Sequence, residues 1–141
     1  MKITNVTATV LRLPQISSAA DGTQDDLIIT VETDEGITGY GEVDTAPYVG
    51  KAVVDAYMSH GTCYGLREVV VGSDPFDYEQ IWNDMWAKTY YYGRSGPVMH
   101  VMSGIDMAIW DIMGKAVGKP VHKLLGGSYA DKVRAYASAL M

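Results

Sequence analysis

The sequence predicts an α+β fold, an N-terminal three-stranded antiparallel meander followed by a helical bundle, on three observations. Apolar and polar residues alternate with period two through residues 2–43, the period then changes to 3.6, and the helical stretches carry start and stop signals. Residues 2–13 are the first strand, with Val6, Ala8 and Val10 on one face and Leu11 and Leu13 near the end of the other, until Pro14 ends it. The next stretch, QISSAADGTQD at 15–25, is too rich in Ser, Asp and Gly to be an element. Leu27, Ile29, Val31 and Thr33 alternate with Ile28, Thr30 and Glu32 as a second strand. TDEG at 33–36 is turn chemistry, and ITGYGEV at 37–43 is the returning strand.

Residues 48–59 then read as a helix, followed by an irregular Gly-containing segment and LREVVVG. Asp74 is placed to cap the next helix, with Pro75 at its first position and Asp77 near its positive end. That helix is expected to run to about Tyr91, burying Ile81, Trp82 and Met85, until GRSGP at 93–97 breaks it. Pro97 opens a third helix on which Val98, Val101, Met102, Ile105, Ala108, Ile109, Ile112, Met113 and Ala116 form one broad stripe. Gly118 stops this helix as a C′ glycine and Pro120 prevents its resumption. Its other side carries His100, Gly104, Met107 and Asp111 in line, with Trp110 beside them, so the sequence calls for cover on both sides. A short apolar turn, VHKLLGG at 121–127, leads to DKVRAYASALM, which reads as a strand. A strand after a helix heads for a parallel sheet, and no later strand is present to pair with it, so the chain reads as the start of a longer one.

The composition narrows the possible roles. With 141 residues, 48% of them hydrophobic and 20% charged, the chain is long enough for one domain with a real core. The net charge is −6 and the eleven Lys and Arg are dispersed, which argues against nucleic acid and anionic membrane surfaces as partners. No apolar run approaches the roughly 20 residues of a membrane span, and MKITNVTATV lacks the apolar core of a signal peptide. Cys63 stands alone, with no internal disulfide to form and no CxxC motif. A reducing cytoplasm is the expected compartment.

No stretch forms a catalytic constellation by itself. Asp106 and Asp111 sit about 140° apart on a helix and cannot share an ion, and His100 lies roughly 16 Å along the axis from Asp111. Ion pairs and hydrogen bonds at helix contacts are the reading for these residues. GYG at 39–41 lacks the third glycine of a dinucleotide fingerprint, and no GK pair is followed by Ser or Thr. Tyr90, Tyr91 and Tyr92 with Arg94 suit either stacking on a base or sugar or burial at a helix end. His60, His100, His122 and Cys63 form no local nucleophile–base pair.

The segment SGIDMAIWDIMGKAVGKPVHKLLGG, preceded by YYYGRSGP and followed by KVRAYAS, resembles the enolase superfamily, specifically its mandelate racemase/muconate lactonizing branch. Order and spacing agree along the whole chain, and Pro120 and Gly126–Gly127 fall where that family has them. The resemblance implies an α+β capping domain over residues 1–120. Residues 121–141 would then be a linker and the first strand of a TIM-type barrel that is otherwise absent. A full barrel needs roughly 250 residues.

Members of this family abstract a proton α to a carboxylate, with a divalent metal, usually magnesium, stabilising the enediolate. The base and the metal ligands would come from later barrel strands, so the resemblance transfers no catalytic and no metal-binding residue to this chain, and the fragment alone is expected to be inactive. It does imply a lid of two loops, 15–25 and about 44–51. Gln15, Asp21 and Tyr48 are the candidate substrate-binding residues, each equally consistent with a solvated loop position. The first loop is polar and free of aromatic residues, which favours a magnesium-dependent acid-sugar dehydratase. A racemase, epimerase or lactonizing cycloisomerase of the same superfamily is the alternative, and a freestanding α+β binding domain is another. The expected partners are a sugar acid, the missing barrel and further copies in a homo-oligomer.

Overall fold

A computed structural model describes residues 1–18 and 24–136. Three strands, β1 (Ile3–Arg12), β2 (Asp25–Thr33) and β3 (Thr38–Val43), form one antiparallel sheet in the order β1-β2-β3. Five helices follow: α1 (Pro47–Asp55), α2 (Leu66–Val70), α3 (Tyr78–Lys88), α4 (Pro97–Ala116) and α5 (Val121–Leu124). The α+β class and the meander are as the sequence implies.

Alternation decides which sheet face is covered. Val6, Ala8, Leu27, Ile29, Val31 and Val43 are buried, while Thr9, Tyr40 and Glu42 on the other face are exposed. A register shift between Ile3 and Asn5 moves the inward positions of β1 from odd to even numbers, so Ile3 is buried as well as Val6. Helix α4 lies on the covered face. A Cβ built on Gly39 would fall 2.0 Å from the Ala108 carbonyl oxygen, and one on Gly41 would fall 1.9 Å from that of Gly104. Helix and strand therefore meet backbone to backbone, an approach only glycine permits.

Both free edges of the sheet are closed by charged side chains. On β1, Arg67 Nε donates to the Val6 carbonyl at 2.7 Å and Lys51 Nζ to the Ala8 carbonyl at 2.9 Å. Asp55 holds both cations, through Arg67 Nη2 on one oxygen and Lys51 Nζ at 2.9 Å on the other. On β3, the Tyr40 amide donates to Asp111 Oδ2 at 3.0 Å, and Lys115 Nζ donates to the Thr38 carbonyl at 2.7 Å and to Asp111 at 2.6 Å. Asp111 and Lys115 thus satisfy one donor and one acceptor that a fourth strand would otherwise take.

Several boundaries differ from the expectation. Helix α1 stops at Asp55 because the following residues find other partners, Met58 N donating to Glu68 Oε2 at 2.8 Å and Ser59 N to Cys63 O at 2.9 Å. His60 consequently lies in a turn, its ring edge-on to Tyr91 at 5.0 Å, and not at a helix end. Helix α3 begins at Tyr78, not at Pro75: Asp74 Oδ1 accepts from Phe76 N at 3.0 Å and closes a separate turn before the helix. Helix α4 ends as expected. Gly118 N donates to Lys115 O and Lys119 N to Gly114 O, with Gly118 at φ 63°, which is a Schellman closure. Ala116, expected on the buried stripe, is exposed. Trp110 and Asp111 find partners in this chain, Trp110 against Tyr78 and Asp111 on β3, whereas Met107 remains 46% exposed.

The stretch read as a last strand forms none over residues 131–136, which are exposed and pair with nothing among the described residues. Residues 137–141 lie outside the described residues.

The glycine contact and the edge closure are both testable. Gly41→Ala places a methyl group inside a backbone carbonyl and is expected to cost about 3 kcal/mol or more in urea unfolding. Asp111→Ala is expected to cost about 1–2 kcal/mol and to accelerate hydrogen exchange at the Tyr40 amide, while amides on the β1–β2 ladder keep their relative protection.

Candidate functional site

The meander brings three chain segments to one end of the sheet. Arg12 pairs with Asp25 and Leu27 with Val43, so the end of β1, the start of β2 and the end of β3 lie side by side. The connection from β1 to β2 and the one from β3 to α1 therefore leave from the same end. Leu13 N extends the ladder by donating to Gln24 O at 3.0 Å. Gln24 also ties the base of the first loop, its Oε1 accepting from Ser17 N at 2.8 Å and its Nε2 donating to Ser17 O at 2.7 Å.

Of the three candidate residues, Gln15 is exposed on this loop just past Pro14. Tyr48 stands in the first turn of α1, 64% exposed, so half of the second expected loop is helix. Among the described residues neither the Gln15 nor the Tyr48 side chain has a hydrogen-bond partner. Asp21 lies outside the described residues. The structure thus roots the loops of Gln15 and Tyr48 at one end of the sheet without bringing the two side chains into contact among the described residues.

Between the loop roots is a cleft of about 300 Å³ lined by Asp25, Asp26, Glu42, Val43, Asp44 and Thr45. Beside it, where β3 meets the first turns of α4, a second cleft of about 480 Å³ is lined by Glu42, Val43, Asp44, His100, Ser103 and Met107. Ionised carboxylates only accept hydrogen bonds, so this rim suits hydroxyl donors. The period-two pattern hides it: Glu42 is simply an outward strand position, and Asp25 and Asp26 sit at a loop end. Only the register of the sheet makes them neighbours. Among the described residues no group of three or more His, Cys, Asp or Glu could hold a metal ion.

The tyrosine run is divided. Tyr92 is the most covered of the three, its hydroxyl donating to the Tyr64 carbonyl, and burial followed by the neighbouring Cys63 pushes its pKa up. Tyr90 and Tyr91 are exposed, Tyr91 by 75%, so burial at a helix end describes neither. The guanidinium of Arg94, a residue at φ 75°, lies 3.7 Å over the Tyr90 ring centre.

Asp106, half-buried on the side of α4 away from the sheet, also has a raised pKa, caused by burial. Between the ordinary value of 3.8 and the raised one, the folded chain holds more proton than the unfolded chain. Stability therefore falls as pH rises through that window, and the penalty is complete above it. Asp106→Asn removes this penalty. The variant is expected to melt above the parent at pH 7, with the gain shrinking as pH falls through that window and gone below about 4, as thermal unfolding followed across pH will show.

Known proteins share this architecture. The model of the mandelate racemase/muconate lactonizing enzyme N-terminal domain matches residues 2–126. A D-galactonate dehydratase of Ralstonia pickettii is 40% identical over 114 residues, covering 79% of this chain and 27% of the relative. An L-rhamnonate dehydratase of Saccharopolyspora erythraea is 37% identical over 112 residues, covering 79% and 26%. The crystal structure of the 3,6-anhydro-D-galactonate cycloisomerase from Zobellia galactanivorans superposes with a TM-score of 0.72 at 31% identity, covering 90% of this chain and 32% of that one. The chain thus spans about a quarter of the length of the curated relatives it matches. A three-stranded meander carrying a long glycine-seated helix, with a family match across nearly all its length, leads to one conclusion: this chain belongs to the mandelate racemase/muconate lactonizing enzyme N-terminal domain family of the enolase superfamily.

Proposed function

We propose that this chain is the substrate-capping part of a longer acid-sugar dehydratase, which removes the proton α to a carboxylate and then expels water. The single observation that carries the reading is the rooting of both loops at one sheet end, around a rim of carboxylates and hydroxyls. Such a rim accepts hydrogen bonds from the hydroxyls of a polyol. The relatives named as D-galactonate and L-rhamnonate dehydratases support the same substrate class.

In this reading the chain contributes recognition and exclusion of water, not proton transfer. Gln15, Asp21 and Tyr48 are the side chains that would meet the substrate's hydroxyls. In this reading the metal, its ligands and the base come from the rest of the longer protein; among the described residues no group of three or more His, Cys, Asp or Glu could hold a metal ion. Residues 1–120 are the capping domain and 121–141 the passage into the barrel, Lys132–Tyr136 pairing only when the neighbouring barrel strands are present. No described helix is long and apolar enough to cross a membrane. A cytoplasmic homo-oligomer is the proposed working form. The similarity to a cycloisomerase favours a second reading, in which the same cap serves an isomerase.

The test is a screen of the longer protein with magnesium against an acid-sugar library, read as formation of a 2-keto acid. Turnover of an aldonic acid to its keto product is expected, and none from this 141-residue chain alone. Tyr48→Phe and Gln15→Ala are each expected to raise KM about threefold to tenfold with kcat little changed. Epimerised or cyclised products without keto acid would replace the dehydratase reading by the isomerase one.

A further inference from the structure

The start of the first loop is held by means other than packing. Residues 11–18 are all exposed, so apolar burial does not fix them. Pro14 has no N–H with which to continue the β1–β2 ladder, and the chain bends at Pro14 and Gln15. Gln24 grips the segment on both sides of that bend. Its backbone carbonyl accepts from Leu13 N at 3.0 Å. Its side-chain amide meets Ser17, Oε1 accepting from the backbone N–H at 2.8 Å and Nε2 donating to the carbonyl at 2.7 Å.

This second contact has the form of a ladder rung. Two residues of an antiparallel pair exchange both backbone bonds, and here a side-chain amide replaces one of the two peptide groups. Strand register does not supply the contact. Arg12 pairs with Asp25, and each step forward on β1 is a step back on β2, so an unbroken ladder would carry Ser17 past Gln24. The exchange needs one group that donates and accepts at once. A carboxylate only accepts, and the thioether of Met is at most a weak acceptor. Gln15 lies between the two gripped residues, Leu13 and Ser17. Holding a recognition group in place before binding lowers the entropic cost of the contact it makes.

We propose that Gln24 is a positioning residue for substrate recognition: holding Leu13 with its backbone and Ser17 with its side chain, it fixes the bend that presents Gln15. The assignment rests on the reading of Gln15 as a contact to the acid, and holds whether that acid is dehydrated or isomerised. Gln24 acts through Gln15 and does not itself touch the acid.

The test compares the longer protein with its Gln24→Met, Gln24→Glu and Gln15→Ala variants and with the Gln15→Ala/Gln24→Met double variant. Met removes both side-chain bonds at nearly unchanged length, and Glu keeps only the acceptor. By NMR, the Ser17 amide of Gln24→Met is expected to exchange about fivefold to tenfold faster than in the parent. The order parameter of the Gln15 amide should fall below about 0.6. The Leu13 amide, bonded to the Gln24 backbone, and the thermal midpoint should change little. On a sugar acid that the longer protein turns over, Gln24→Met is expected to raise KM about threefold with kcat little changed, and Gln24→Glu by less. In the Gln15→Ala background the same substitution should add almost nothing, because the group it positions is gone. An unchanged Ser17 or Gln15 amide would overturn the proposal. So would a KM factor for Gln24→Met that is as large without the Gln15 side chain as with it, the result expected if Gln24 touched the acid directly. A longer protein that turns over no sugar acid would sink the reading of the reaction, and the two amide measurements, which need no substrate, would then decide whether Gln24 positions Gln15.

Discussion

Between Gly39 and Ala108, and again between Gly41 and Gly104, strand and helix backbones approach with no side chain between them. Much of the domain's geometry follows from this contact. It seats the 20-residue α4 on β3, so the apolar stripe from Val98 to Met113 faces the sheet and the flanking helices. It also brings Asp111 and Lys115 to the free edge of β3, where they hold the Tyr40 amide and the Thr38 carbonyl. A methyl group at either glycine would lift the helix and loosen both the core and the edge.

The same device closes the other edge with different residues. Arg67 and Lys51 bond the β1 carbonyls and are tied together by Asp55, so helices α1 and α2 are locked to the sheet by charge as well as packing. A three-stranded sheet exposes two rows of backbone groups and invites a further strand at each. Here those rows are partly occupied by side chains from helices. The remaining polar functions of the chain can then concentrate at the sheet's end, where the loops leave, without competing for edge pairing.

Helix α4 separates two chemically different regions. Its N-terminal turns meet the loop end of the sheet through His100 and Ser103, where Glu42 and Asp44 stand beside Val43 and Met107. Further along and facing away from the sheet, Asp106 and Trp110 meet Tyr78 and Trp82 in an aromatic cleft. The first carries two carboxylates and the second is walled by aromatic rings. Both regions are therefore held by one helix, which the glycine contact seats on β3.

Much of this was legible in the residues alone. Alternation determined the three strands and their covered face, and Pro97, Gly118 and Pro120 determined where α4 begins and ends, because these signals act over a few residues of local chain. The family signature around Trp110 was legible for the same reason. What only the tertiary structure decided depends on residues far apart in sequence. Asp111 reads as an ion-pairing or hydrogen-bonding residue at a helix contact, but its partner, the Tyr40 amide 71 residues away, is visible only in the fold. Glu42 joins Asp25 and Asp26 only through strand register. Helix α1 ends early because Glu68, ten residues on, takes the Met58 amide. Long-range hydrogen bonds and close backbone approach leave no periodic trace in a sequence, so only the folded chain displays them.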